Sequence, residues 1–215
     1  MATFESLLGW TRLVPVIVLD DAARAPGLAR ALKDGGLPIA EVTFRSPGAE
    51  DVMTALARDP DLLVGAGTVR TRGQVDRAVD AGAQFVVSPG FSPAVVDRCR
   101  EVGIPVLPGV STATEIMAAS DAGLRTVKFF PAEACGGLPT IKALAAAFPD
   151  LAFVPTGGIT AELAADYLGF PAVVAVGGSW MVPPAMLAAG EFGRITELVA
   201  SAVSLFPPRP PVADP

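Results

Sequence analysis

Histidine is absent from this 215-residue chain. The most common general base and the most common transition-metal ligand are therefore both missing. Proton transfer must fall to carboxylates, lysine, tyrosine, thiols or water, and a transition-metal site is disfavoured. Cysteine is nearly absent too. Cys99 and Cys135 stand alone, without a disulfide framework or zinc-ligand spacing. Such thiols suit a reducing compartment, and no basic stretch leads into an apolar core at the N-terminus, so a cytoplasmic location is expected. Charge is scarce at 18% of residues, with a net −6 and no basic clusters. That disfavours nucleic acid as a partner. The run from Tyr167 to Gly190 has no charge at all and by length could span a bilayer. Pro171, Gly177, Gly178, Pro183 and Pro184 interrupt it and would break a lipid-exposed helix, so no membrane partner is expected.

What the chain has in abundance is apolar sequence, 51% of residues. A parallel α/β sheet covered on both faces uses sequence of that kind. Short β-rich runs stand at Val14–Leu19, Ile39–Phe44, Leu62–Thr68, Phe85–Ser88, Pro105–Pro108, Thr126–Phe130, Ala152–Pro155 and Val173–Val176. Their starts are about 20 to 26 residues apart, the length of one βα unit. Helical stretches with recognisable ends lie between them. Ala22–Lys33 stops at Gly35-Gly36, Pro47–Arg58 ends before Asp59-Pro60, and Thr71–Ala81 begins behind a threonine cap. Ser92-Pro93 opens Ala94–Val102, and Ser111–Ala122 carries Ser111 or Thr112 as its cap. Eight alternations predict a single-domain (β/α)₈ TIM barrel over residues 1–205, with Phe4–Trp10 as a short N-terminal helix at its floor. A doubly wound open sheet is the alternative, but Leu19-Asp20-Asp21 stands where its glycine fingerprint belongs. Residues 206–215 read as a proline-rich tail.

Lysine is rare: Lys33, Lys128 and Lys142 are the whole set, and arginine supplies the rest of the sixteen basic residues. Lys128 lies inside the apolar run Thr126-Val127-Lys128-Phe129-Phe130-Pro131. Burial penalises the charged form of an amine and leaves it available as a nucleophile. The competing explanation is a strand-edge lysine reaching solvent. Alternation by two puts Glu41, Thr43 and Arg45 on one face of the second strand, either as an internal ion pair or as part of a site. Lys128 and Phe130 share a face of the sixth strand; Val64, Ala66 and Thr68 share one on the third, where small Ala66 leaves room. Strand C-termini thus aim Glu41, Arg45, Thr68 and Lys128 at one cavity. Thr156-Gly157-Gly158 and Gly177-Gly178-Ser179 follow the last two strands, where barrels of this kind bind phosphate on backbone N–H groups. A sugar-phosphate isomerase or epimerase, or a non-catalytic phospho-ligand barrel, would share that anion site without needing the amine.

Several motifs occur together in order: Val14-Pro15-Val16-Ile17, Glu41-Val42-Thr43-Phe44-Arg45, Val64-Gly65-Ala66-Gly67-Thr68-Val69, Ser88-Pro89-Gly90, Lys128-Phe129-Phe130-Pro131-Ala132-Glu133, Pro155-Thr156-Gly157-Gly158-Ile159 and Gly177-Gly178-Ser179-Trp180. Through them the chain, from about Val14 to Val182, resembles the 2-keto-3-deoxy-6-phosphogluconate / 4-hydroxy-2-oxoglutarate aldolases, which are class I Schiff-base enzymes. The resemblance implies Lys128 as the Schiff-base lysine and Glu41 as the general acid/base. It implies Arg45 and Thr68 at the substrate carboxylate, Phe130 beside the pyruvyl carbons, and Gly158, Gly178 and Ser179 at the phosphate. Pro89, Thr156, Gly157 and Gly177 are expected to complete the substrate-binding set. It further implies a phosphorylated keto-acid substrate, no cofactor, and a homotrimer. Two departures are visible: Cys135 stands where asparagine is common, and Phe44 where leucine is usual.

Overall fold

In the computed structural model, residues 11–207 are described. Among these described residues nine short strands are hydrogen-bonded in parallel: β1 Leu13–Ile17, β2 Ile39–Thr43, β3 Leu63–Gly67, β4 Phe85–Val87, β5 Val106–Leu107, β6 Gly109–Val110, β7 Thr126–Phe129, β8 Ala152–Pro155 and β9 Val176–Gly178. Helices alternate with them: α1 Ala25–Asp34, α2 Ala49–Leu56, α3 Arg72–Asp80, α4 Pro93–Val102, α5 Ala113–Asp121, α6 Gly137–Ala147, α7 Ala161–Leu168, then α8 Pro184–Ala189 and α9 Phe192–Leu205. The expected alternation is therefore present, and side-chain caps show why α3, α5 and α7 start where they do. Thr71 accepts from the Gln74 N–H, Thr112 and Glu115 form a reciprocal capping box, and Thr160 accepts from the Leu163 N–H. Ser92 occupies its cap position without a side-chain hydrogen bond, and Gly103 ends α4 with a left-handed φ of 74°.

The strands pair in the order β5-β4-β3-β2-β1-β9, with a second run β6-β7-β8. Pro108, which has no N–H to give, separates β5 from β6 and divides what the sequence presents as one strand. Single bridges join Phe153 to Val173 and Thr156 to Gly177, linking the β8 edge to the approach of β9. The first strand pairs with the last, Leu13 opposite Val176 and Pro15 opposite Gly178. The result is an α/β fold built on a curled parallel sheet. One apolar core runs from Leu13 to Phe206, with Phe85, Phe129, Phe153 and Tyr167 among its largest fully buried side chains. Phe206 is packed in this core, so the anchored chain extends one residue into the stretch expected as a tail. The expected Phe4–Trp10 helix and residues 208–215 of the tail lie outside the described residues.

Two expectations need correction. Val173–Val176 does not form the last strand; Val173 makes one bridge, and the ladder runs over Val176–Gly178. Glycine 177 is therefore inside a strand rather than in a loop after it. On β3, register sets Gly65 beside Glu41 and Gly67 beside Thr43, while Ala66 lies level with Val42. Gly65 and Gly67, not Val64 and Ala66, share the face that carries Glu41. Alternation counted back from Thr68 fails because Thr68 has φ 60°. That left-handed turn at the strand end breaks the period of two.

Candidate active site

Lys128 is the third residue of β7, level with Gly109 on one side and Val154 on the other. Its neighbours Val127 and Phe129 point into the apolar core and are fully buried, which fixes the strand and turns Lys128 to the other face. The lysine is only 5% exposed and Glu41 only 2%. Lys128 Nζ donates to Glu41 Oε1 at 3.3 Å. The Phe130 ring centroid lies 5.2 Å from the same nitrogen, within cation–π range. Glu41 does not pair with Arg45, so the internal-pair alternative gives way to a lysine–carboxylate pair across the sheet. Removing either partner of such a buried pair leaves the other uncompensated.

Room for the carboxylate comes from a missing side chain. A Cβ built on Gly67 would lie 2.7 Å from Glu41 Cγ and 3.0 Å from Cδ. At the mouth, Arg45 Nε donates to Thr43 Oγ1 at 3.2 Å, and the Thr43 hydroxyl donates to the Ile17 carbonyl at 2.9 Å. Arg45 is thus an exposed cation aimed by a buried threonine. Thr68, a β-branched residue in left-handed conformation, carries about 1–3 kcal/mol of strain; the turn brings its side chain to the cavity wall. Ser88 Oγ donates to the Gly90 carbonyl and shapes the turn that presents Pro89.

The opposite rim is backbone. Gly157 and Gly158 have φ of 104° and 80°, accessible to glycine at little cost. Pro131 and Glu133 crowd the places where their side chains would be. Thr160 then caps α7, whose N-terminus faces the same rim and favours negative charge. Gly178 lies under the Trp180 ring, and exposed Ser179 follows.

The two ends face one cavity of about 580 Å³. It gathers Glu41, Arg45, Thr68, Pro89, Lys128, Phe130, Thr156, Gly157, Gly158, Gly178 and Ser179. Gly177 is the exception. It pairs with Val14 in the sheet, and the Thr156 side chain fills the space it leaves, with Cγ2 3.1 Å from the missing Cβ. Its contribution is to seat Thr156. Sequence reasoning missed Val16, Ile159 and Thr160 in the wall and gave Thr43 no site role. Thr43 was recoverable from its alternation with Glu41, and Thr160 from the cap position it occupies before a helix.

Among the described residues no group of three or more Cys, Asp or Glu could hold a metal ion, and no helix is long and apolar enough to cross a membrane. Burial pushes the Cys99 thiol up to about 12, so it stays protonated and unreactive. Cys135 is half-buried in the turn before α6.

A buried amine facing a carboxylate at the strand ends of a curled parallel sheet defines a TIM-barrel-like enzyme of the class I, carbonyl-capturing kind. Comparison with known proteins gives the particular family: the model for the KDPG and KHG aldolases matches residues 4–198, and the chain belongs to that family. A 2-dehydro-3-deoxy-phosphogluconate aldolase of Treponema pallidum is 47% identical over 199 residues, 92% of this chain and 95% of that protein. The crystal structure of a KDPG aldolase from Legionella pneumophila, with pyruvate captured as a covalent carbinolamine, superposes with a TM-score of 0.91 at 39% identity, covering 94% of this chain and 98% of the other. A Zymomonas mobilis aldolase structure with 3-phosphoglycerate gives 0.89 at 40% identity, covering 97% and 98%.

Proposed function

We propose that the protein cleaves 2-keto-3-deoxy-6-phosphogluconate to pyruvate and glyceraldehyde 3-phosphate through an iminium on Lys128, and 4-hydroxy-2-oxoglutarate to pyruvate and glyoxylate by the same route. The observation that carries this reading is the Lys128–Glu41 pair, a buried amine 3.3 Å from a buried carboxylate. The Legionella relative with pyruvate held as a carbinolamine supports the same chemistry.

Each step has a group to perform it. Lys128 Nζ attacks the C2 ketone, forming the N–C bond, and Glu41 moves the proton that lets the carbinolamine lose water. The Phe130 face stabilises the cationic iminium that results. Loss of the C4 hydroxyl proton to Glu41 lets the C3–C4 electrons flow into the iminium, which releases the aldehyde and leaves an enamine. Protonation at C3 and hydrolysis then free pyruvate and restore the amine. Arg45 and Thr68 would hold the C1 carboxylate. Pro89 and Thr156 would border the pyruvyl unit. Gly157, Gly158, Gly178 and Ser179, with the α7 N-terminus, would take the phosphate.

The same reading takes residues 1–205 as one barrel domain closed by eight strands over an N-terminal helix, residues 206–215 as a tail, and the working enzyme as a cytoplasmic homotrimer. The continuous core and the β1–β9 pairing support the domain; the family resemblance supports the trimer. Borohydride reduction in the presence of pyruvate tests the central claim. Mass spectrometry should find one pyruvyl label, on Lys128. A label on Lys33 or Lys142, or none, overturns the Schiff-base reading.

A further inference from the structure

The chain's single tyrosine has no part in the chemistry above. Tyr167 lies on α7 and is 1% exposed. Its hydroxyl donates to the Glu133 carboxylate and accepts from the Leu138 N–H in the first turn of α6. Burial, and then this bond to Glu133, raise the tyrosine's pKa, so it is a phenol throughout the working range. Glu133 in turn belongs to the loop that follows Lys128's strand. Its N–H donates to the Gly157 carbonyl at 3.1 Å, while the preceding Ala132 N–H donates to the Thr156 carbonyl at 2.8 Å. Glu133 Cβ and Cγ occupy the space left by Gly158, 2.8 and 2.9 Å from where a Cβ would be.

Glu133 therefore forms the back of the glycine rim. A carboxylate behind an anion-binding loop opposes the anion unless it is turned away. Tyr167 supplies the turn, drawing the carboxylate toward the N-terminal end of α6, where negative charge is favoured. Asp166 and Lys142 line the same groove outside the rim.

We propose that the Tyr167–Glu133 hydrogen bond is a positioning device for the phosphate end of the substrate: it holds the Glu133 carboxylate off the Gly157–Gly158 loop, so that the loop's N–H groups meet the phosphate unopposed. This rests on the assignment of phosphate to that rim. Tyr167 is a positioning residue; it touches no substrate.

The test uses the full-length enzyme with Tyr167→Phe, Glu133→Gln and the double variant. Tyr167→Phe keeps the buried ring and frees only the carboxylate. The KM for the phosphorylated keto acid should rise about threefold to fivefold, the scale of one screened charge contact, with kcat unchanged. Deuterium exchange at the pyruvate methyl, which involves no phosphate, should keep its rate. Glu133→Gln retains an acceptor without charge, so adding Tyr167→Phe to it should raise KM no further. An unchanged KM in Tyr167→Phe, a parallel fall in pyruvate exchange, or a KM rise that survives in the Glu133→Gln background each overturns the proposal. Ser179→Asp, run alongside, separates two failures. If it impairs the phosphorylated substrate selectively and Tyr167→Phe does not, this inference falls and the phosphate assignment stands. If it affects phosphorylated and unphosphorylated substrates alike, the assignment falls and takes the inference with it.

Discussion

Lys128 and Glu41 stand 87 residues apart in the chain and meet as buried side chains on strands fixed from both sides. The Gly157–Gly158 rim, across the same cavity, is made of consecutive backbone units, half-buried to exposed, backed by the next loop. The first region depends on a few irreplaceable functional groups. The second depends on where side chains are missing. Chemistry at the amine end is therefore expected to fail steeply on single substitutions, and binding at the rim to degrade by steps.

The steepest failure belongs to Lys128→Arg. Arginine keeps the charge but cannot serve as the nucleophile. Turnover should fall by roughly 10⁵-fold or more, the scale seen when a covalent nucleophile is lost, and borohydride trapping should vanish while circular dichroism still reports a folded chain. Retained turnover would remove the distinction between the two ends. Glu41→Gln comes next. The amide keeps the shape and cannot shuttle protons, so kcat should drop about 10²–10⁴-fold with slow trapping at Lys128 preserved. Equal loss of trapping would assign Glu41 to folding rather than proton transfer.

Gly67→Ala sharpens the comparison, because it attacks the amine end by adding an atom. The new methyl group collides with Glu41. A displacement of about 1 Å in such a group costs up to roughly 10²-fold in rate, read here as kcat with KM little changed. A silent Gly67→Ala would mean that the carboxylate position is not set by that contact. Ser179→Asp probes the rim: KM for the phosphorylated substrate should rise about tenfold, while pyruvate trapping is untouched. Chelation is the smallest expected effect. EDTA should leave the rate as it was, since the iminium supplies the electrophile; a rate lost and then restored by a divalent ion would contradict that.

The side-chain end was the more legible of the two in the sequence. A lysine among Val, Phe and Thr, and a glutamate and arginine alternating with Val and Phe, are conspicuous because burying charge is costly. The strands and most helix starts were legible for a similar reason: each has its own local signal. What stayed hidden depends on backbone geometry or on meetings between distant elements. Thr68 leaves the alternation through a positive φ, which inverted the reading of Val64 and Ala66. Pro108 splits one expected strand, and Gly177 sits within a strand that was placed too early. Tyr167 and Glu133 lie 34 residues apart on different elements, and no periodicity links them.

The pairing of β1 with β9 also bears on the order in which the protein can be completed. Leu13–Pro15 must wait for Val176–Gly178, so one edge of the first strand stays open through most of synthesis. The residues that capture the ketone are translated well before those that close the rim. Until the last strand arrives, the nascent chain carries an unpaired, wholly apolar edge on β1, the kind of surface through which unfinished chains associate.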